Sequence, residues 1–371
     1  MSSQPSHDRL HVAVLFGGRS GEHEVSVASA RSVVANLDPA KYDVTLIGIT
    51  KTGQWVLPED GQRALDEGPG SVPALPVHAL AHHGAGILRA EAGALTTLNP
   101  VDVVFPVLHG TYGEDGTVQG LLELAGLPYV GAGVLGSSAG MDKVIMKALF
   151  LAEGLPSADA VHFKRRDWEA GRDAILSRIA DELGFPCFVK PANLGSSVGI
   201  SKAKNPTDLA AAIDLAAEFD LKVLVEQSVE NAREIECSVL GNDQPRASVL
   251  GEIIPSREFY SYEAKYVDDA SGQIIPADLP GDVTEQVRDM AVRAFKAVDC
   301  AGLARVDFLV RRDDNEVFIS EINTLPGFTK ISMFPKLWEA SGLPYPELLD
   351  EAIRLALERH RERACLRTSY T

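Results

Sequence analysis

The sequence predicts an α/β protein of two or three domains, on three observations. A chain of 371 residues exceeds the size at which one hydrophobic core keeps growing. Near the N-terminus a short apolar strand runs into a glycine turn and then a stretch of helical composition. Near the C-terminus, Arg305 to Asn323 reads as a β-hairpin, and the rest of the chain is organised around it.

Composition narrows the class to a soluble globular protein. Hydrophobic residues make up 45% and charged residues 23%, and no stretch approaches the roughly eighteen uninterrupted apolar residues of a membrane span. Met1 to Arg9 is polar and lacks the apolar centre of a secretion signal, which places the protein in the cytoplasm. Cys187, Cys237, Cys300 and Cys365 are widely spaced, with no Cys-x-x-Cys pair, against both a disulfide framework and a zinc site. A net charge of −17 opposes general binding to nucleic acid or anionic membranes, so an anionic nucleotide would need local positive groups.

In chain order, His11 to Phe16 is a buried strand, followed by Gly17-Gly18 and a helix containing Glu22 to Ala30. Gly17-Gly18-Arg19-Ser20-Gly21 does not spell the dinucleotide fingerprint, and no acid closes the next strand, Tyr42 to Ile49. NAD is therefore excluded. Glu22, beside a glycine turn, either meets a small cationic group such as an amine or simply complements the helix N-terminus. Asp60 to Gly86, rich in Gly, Pro and His, is expected to be an irregular surface insertion; His82-His83 lacks a nearby third metal ligand. Asp102 to Leu108 is another buried strand. It ends in His109-Gly110-Thr111-Tyr112-Gly113-Glu114-Asp115-Gly116, before a helix over Thr117 to Ala125. Ligands collect at the carboxyl ends of such strands, so His109 is a candidate site residue.

A second domain is expected from about Lys143, where a helical pattern runs to Gly154. Lys190 ends an apolar strand and precedes Asn193-Leu194-Gly195-Ser196-Ser197-Val198-Gly199-Ile200. In such a loop backbone N–H groups approach an anion closely, hydroxyls add donors, and the lysine supplies charge. It is not a Walker loop, because the Gly-Lys-Ser/Thr ending is absent. Lys222 to Val229 and Arg233 to Leu240 are strands. The backbone from Glu226 to Val229 can hydrogen-bond an adenine, and Glu234 is either a ribose ligand or a solvent-facing acid. The aperiodic segment Pro255 to Pro280, with Tyr260-Ser261-Tyr262-Glu263-Ala264-Lys265-Tyr266, reads as a lid.

In the hairpin, a loop of Asp313-Asp314-Asn315 pairs Arg312 with Glu316, which places Asp307 opposite Glu321 and Arg305 opposite Asn323 on one face. Two carboxylates across a ladder repel, and burying them is costly unless a cation sits between them. Oxygen ligands without Cys or His suit Mg²⁺ or Mn²⁺ rather than zinc. With Arg305 facing the same anion, the set points to phosphoryl transfer. The alternative is a surface hairpin with solvated acids. Thr324 to Pro335 follows as a loop, Trp338 to Glu358 as an amphipathic helix, and His360 to Arg367 as a solvated basic helix end.

Lys143, Lys190, Gly195-Ser196-Ser197-Val198-Gly199, Arg305-Val306-Asp307 and Glu321-Ile322-Asn323 with Pro326-Gly327 resemble the ATP-grasp ligases. Three more specific stretches resemble the D-alanine–D-alanine ligase family within them: His109-Gly110 with Gly113 to Gly116, Tyr262 to Tyr266, and Glu321 to Gly327. The matches keep the family's order over nearly the whole chain. The resemblance implies a three-domain ATP-grasp fold, α/β overall and α+β in its ATP-binding half. The domains would be an N-terminal Rossmann-like domain (1–142), a central domain (143–230) and a C-terminal domain (231–371) with a lid at 255–280, usually in a homodimer. It assigns Lys143, Lys190, Ser196, Ser197 and Lys265 to the ATP phosphates and Glu226, Gln227, Val229 and Glu234 to the adenosine. Asp307, Glu321 and Asn323 match ligands of two Mg²⁺ or Mn²⁺ ions. Arg305 and the Gly327 backbone would stabilise a tetrahedral intermediate, and Glu22, with His109 nearby, would meet the first D-alanine. Ser332 and Met333 match positions that bind the second. Tyr266 would link the lid to Ser196 and Glu22, and its presence favours a dipeptide over a depsipeptide product. The expected reaction joins two D-alanine molecules through an acyl phosphate, releasing ADP and phosphate, for peptidoglycan precursors. The alternatives are D-lactate or D-serine as second substrate, or a nucleotide-binding regulator without turnover.

Overall fold

The computed structural model describes residues 9–79, 87–91, 94–97, 101–196, 198–254, 272–367 and 369. Its strands form three sheets. The first holds β1 (Leu10–Gly17), β2 (Tyr42–Ile49), β3 (Trp55–Pro58), β4 (Ala74–Ala79), β5 (Ile87–Glu91), β6 (Ala94–Thr97) and β7 (Val103–Val107), in the order β6-β5-β4-β3-β2-β1-β7. β1 is parallel to β2 and β7, and its run from Val12 to Phe16 is fully buried, as a strand covered on both faces requires. α1 (His23–Asn36) follows the glycine turn, as the sequence predicts.

The expected irregular insertion from Asp60 contains regular structure instead. Residues Gly61–Glu67 form α2, N-capped by Asp60, whose carboxylate accepts from the Arg63 N–H at 3.0 Å, and β4 joins the sheet antiparallel to β3. Pro58, Pro73 and Pro76 disguise these short strands, because proline is tolerated where a ladder position does not call for its missing N–H. His82 and His83 lie outside the described residues.

α3 (Thr117–Ala125), α4 (Val134–Met141) and α5 (Lys143–Ala152) lead into the second sheet. It comprises β8 (Ala160–Lys164), β9 (Cys187–Pro191), β10 (Ser201–Ala203) and β11 (Lys222–Gln227), ordered β10-β9-β11-β8 and antiparallel throughout. The helices α6 (Arg165–Ala170), α7 (Arg172–Glu182) and α8 (Pro206–Phe219) lie between its strands in the chain. The third sheet, also antiparallel, comprises β12 (Ala232–Gly241), β13 (Arg246–Ile254), β14 (Gly272–Ile274), β15 (Gly302–Arg311) and β16 (Val317–Asn323), ordered β14-β13-β12-β15-β16. α9 (Gly281–Ala297) buries Val287, Met290, Ala294 and Phe295 in its core, together with Met146 and Phe150 of α5.

One core joins the two ends of the chain. Val14, Phe105 and Leu122 pack in the same cluster as Phe328, Phe334, Trp338 and Leu349. The single C-terminal helix expected from Trp338 to Glu358 is two, α10 (Met333–Ala340) and α11 (Tyr345–Ala364). Gly342, at φ 87°, and Pro344 break it, since a left-handed glycine ends a helix and proline cannot continue one. α11 ties the start of β2 to the segment that flanks β7. Asp350 accepts from Lys41 Nζ at 2.6 Å and from Tyr42 Oη at 2.7 Å, while Arg359 lies 4.5 Å from the Tyr129 ring centroid. Arg363 pairs with Glu123 at 2.7 Å, so the basic tail is partly engaged rather than simply solvated.

Candidate active site

The β15–β16 hairpin pairs Asp307 with Glu321 and Arg305 with Asn323, the expected register at the functional positions. Nearer the turn the register differs by one: Val310 faces Val317, and the Arg311 N–H donates to the Glu316 carbonyl. An irregularity between Asp307 and Phe308 leaves Ser320 as the extra residue of a β-bulge, and this restores the register beside the carboxylates. The turn accordingly spans four residues rather than three, with Asn315 at φ 59°.

The half-buried face of β15 alternates as Arg305, Asp307 and Leu309. Arg305 forks onto Asp307 with Nε to Oδ1 and Nη2 to Oδ2 both at 2.6 Å, and its Nε lies 3.0 Å from Glu236 Oε2 on β12. Asn323 Nδ2 donates to Asp307 Oδ2 at 3.1 Å. Across the ladder, Glu321 Oε2 lies 3.2 Å from Lys143 Nζ, which also donates to the Leu194 carbonyl at 2.9 Å. The opposed carboxylates are thus neutralised from two sides. Two carboxylates and an amide in one face are hard oxygen donors, and the set would suit a Mg²⁺ or Mn²⁺ ion. Among the described residues no cluster of three His, Cys, Asp or Glu offers a competing metal site.

Beside this face lies a cavity of about 100 Å³. Its walls bring together Glu22, His109, Ser196, Arg305, Gly327 and Ser332, with Glu321, Asn323 and Met333 also lining it. Glu22, at the start of α1, is 7% exposed and accepts a hydrogen bond from the Ser196 hydroxyl of the loop after β9. Glycine on both sides leaves room for its carboxylate, which any Cβ there would push aside. A Cβ at Gly110 would fall 2.6 Å from Glu22 Oε2, and one at Gly195 would fall 2.8 Å from it. Ser332 precedes the first turn of α10 and its Oγ accepts from the Thr329 N–H at 3.0 Å, while Met333 opens the helix with its side chain 4% exposed. Carboxylates are favoured at a helix N-terminus, where unpaired N–H groups point outward.

A second cavity, of about 220 Å³, lies between the second and third sheets and is lined by Lys190, Glu226, Gln227, Val229 and Glu234, with Phe188, Leu309 and Phe318 among its apolar walls. Glu226 pairs with both Lys190 and Lys147, and Lys147 also donates to Ser157 Oγ at 2.7 Å. Burial would raise the Glu226 pKa, but the two ammonium groups more than offset it and hold the carboxyl at about 2.

Three site residues escaped the sequence reading. Lys147 stands one helical turn beyond Lys143, and Glu236 alternates with Glu234 on β12, so both left a periodic signal. Glu114 belongs to the Gly113 to Gly116 run and lines the first cavity. Burial first, and then the Glu22 carboxylate, push it well above the usual carboxylate range, although it accepts the Gly110 N–H at 2.8 Å. His109 is 4% exposed, and burial pushes it down to about 4 even though its hydrogen bond with the Leu325 carbonyl acts the other way. It is therefore neutral at physiological pH. Ser197, Lys265 and Tyr266 lie outside the described residues, as does the body of the expected lid, 255–271.

Two family models cover most of the chain: D-ala D-ala ligase N-terminus matches residues 11–132 and D-ala D-ala ligase C-terminus matches residues 149–354. The D-alanine–D-alanine ligase of Ruminiclostridium cellulolyticum is 50% identical over 370 residues, covering 95% of this chain and 97% of the relative. That of Caldicellulosiruptor bescii is 51% identical over 361 residues, covering 97% and 99%. Among solved structures, the D-alanine-D-alanine ligase from Coxiella burnetii superposes with a TM-score of 0.83 at 41% identity, covering 96% of this chain and 97% of the other. The D-Ala:D-Ser ligase from Enterococcus faecalis also gives 0.83, at 36% identity, covering 94% and 99%. With both halves matched and half of all residues identical over nearly the full length, the chain belongs to the D-alanine–D-alanine ligase family.

Proposed function

We propose that the chain joins two molecules of D-alanine into D-alanyl-D-alanine, using ATP and releasing ADP and phosphate, in the synthesis of peptidoglycan precursors. The observation that carries this reading is the meeting, in one small cavity, of a buried carboxylate (Glu22), a guanidinium (Arg305), a glycine backbone (Gly327) and a helix N-terminus (Ser332). A zwitterionic amino acid needs the first and the last of these, and phosphoryl and acyl transfer need the middle two.

In this reading the nucleoside lies in the cavity of Glu226, Gln227, Val229 and Glu234, with its phosphates directed to Lys143, Lys190 and the loop of Ser196 and Ser197. Asp307, Glu321 and Asn323 would hold two Mg²⁺ or Mn²⁺ ions, which when bound neutralise phosphate charge. Glu22 holds the ammonium of the first D-alanine, so that its carboxylate attacks the γ-phosphate and ADP leaves. Ser332 and Met333 hold the carboxylate of the second D-alanine, whose amine attacks the acyl phosphate. The tetrahedral intermediate places its oxyanion toward Arg305 and the Gly327 N–H, and then expels phosphate. Neutral His109 supplies no charge, and Lys265 and Tyr266 belong to the lid that excludes water from the acyl phosphate. No described helix is long and apolar enough to cross a membrane. A cytoplasmic homodimer completes the reading.

The test is ADP release with ATP, Mg²⁺ and D-alanine, with L-alanine, D-lactate and D-serine run beside it and products identified by mass. Dipeptide from D-alanine alone is the expected result. A mixed product with D-serine or D-lactate reassigns the second substrate, and ATP binding without turnover on any acceptor overturns the reading.

A further inference from the structure

We propose that Ser29 is a positioning residue for the reaction: its hydroxyl, shared between His109 and the backbone of Phe328, fixes the turn that presents the Gly327 N–H. This inference rests on the ligase reading of the site, in which that N–H faces the oxyanion.

Ser29 lies on α1 and is fully buried. Its Oγ stands 3.0 Å from His109 Nε2 and accepts the Phe328 N–H at 3.3 Å. The other ring nitrogen, Nδ1, stands 3.2 Å from the Leu325 carbonyl. A carbonyl only accepts, so Nδ1 must carry the proton, which leaves Nε2 as an acceptor. The Ser29 hydroxyl must then donate to Nε2 and use a lone pair for Phe328. One chain of bonds results: Phe328 N–H to Ser29, Ser29 to His109, His109 to the Leu325 carbonyl. Each group plays the only role open to it, so a single tautomer satisfies all four.

The chain closes on both ends of Leu325-Pro326-Gly327-Phe328. Pro326 has no N–H, so the turn cannot brace itself through that residue. On its apolar side Phe328 is fully buried, with ring centroids 5.7 Å from Phe105 and 5.3 Å from Phe334, and its carbonyl accepts from Tyr345 Oη at 2.6 Å. Packing therefore anchors the ring, while His109 holds the Leu325–Pro326 peptide and Ser29 holds the Gly327–Phe328 peptide, the two that flank the peptide carrying the Gly327 N–H. Oxyanion stabilisation depends on how that last peptide is rotated, because a donor is effective only when aimed at the charge as it forms.

The experiment compares wild type with Ser29→Ala and Ser29→Cys in steady-state ligation. The tautomer of His109 is read by ¹⁵N NMR, assigned with His109→Gln. Wild type is expected to hold the Nδ1–H tautomer, a readout that needs no turnover. Ser29→Ala should lose the pure tautomer and reduce kcat by about 10²-fold, the scale of a misplaced catalytic group, with KM for ATP unchanged. Ser29→Cys, which retains a weak donor and acceptor, should fall between the two. The proposal is overturned by an Nε2–H tautomer in wild type, by full kcat in Ser29→Ala, or by a kcat loss matched by a rise in KM for ATP and a lower melting temperature. If wild type forms no dipeptide, the ligase reading fails, while the NMR result still decides the hydrogen-bond chain.

Discussion

Replacing Glu226 with glutamine puts a number on the charge arrangement under the nucleotide cavity. Glu226 is 5% exposed and pairs with Lys147 and Lys190. Burial alone would raise its pKa, yet the two ammonium groups hold it at about 2 against an ordinary 4.5. At ~1.4 kcal/mol per pH unit, that gap corresponds to about 3 kcal/mol of folding stability. The folded-state value lies below the unfolded one, so this stability is fully present above about pH 4.5 and is lost as the pH falls through about 2. In Glu226→Gln the buried Lys147 and the half-buried Lys190 lose their shared partner, a change that costs about 3–5 kcal/mol where buried pairs are broken. Urea unfolding followed by tryptophan fluorescence measures it, since Trp168 sits in the core of the same sheet. The variant should be at least about 3 kcal/mol less stable at neutral pH, with the deficit closing as Glu226 of the wild type becomes protonated. Two stability curves that stay parallel from neutral pH down to about 2 would refute the reasoning.

Arg305→Lys cannot reproduce the two-pronged contact with Asp307 or reach Glu236 with the same group, so kcat for ligation should fall about 10²-fold while KM for ATP holds; an unchanged kcat would remove Arg305 from the chemistry. Gly195→Ala places a Cβ 2.8 Å from the Glu22 carboxylate and should raise KM for D-alanine about tenfold, a cost of ~1.4 kcal/mol, and a variant with wild-type KM would show that Glu22 does not hold the ammonium. Glu321→Gln should require more Mg²⁺ for half-maximal ADP release, so an identical Mg²⁺ titration would count against the ligand set. Phe328→Ala, at a fully buried ring between Phe105 and Phe334, should cost about 3–5 kcal/mol of stability, and a cost below about 1 kcal/mol would mean that the shared core is not continuous there.

Whatever depended on local periodicity was legible in the chain. Strand alternation put Arg305, Asp307, Glu321 and Asn323 on one face, because side-chain direction repeats every second residue whatever surrounds the strand. A different local signal, an unbroken apolar run followed by two glycines, marked β1 and its turn. Tertiary structure decided what periodicity cannot carry. The bulge at Ser320 was invisible, since one extra residue in a ladder depends on what the partner strand offers. Glu22 meets Ser196 across 174 residues, and His109 meets Leu325 across 216. The second contact exists only once the first and third sheets share a core with the C-terminal helices, and the first only once the loop after β9 reaches the start of α1. Ser29, a small polar residue on an ordinary helix, has nothing in its neighbours to mark it. Its role follows from the two groups folding brings within hydrogen-bond reach, because a buried hydroxyl has to find partners and only the fold determines which ones are there.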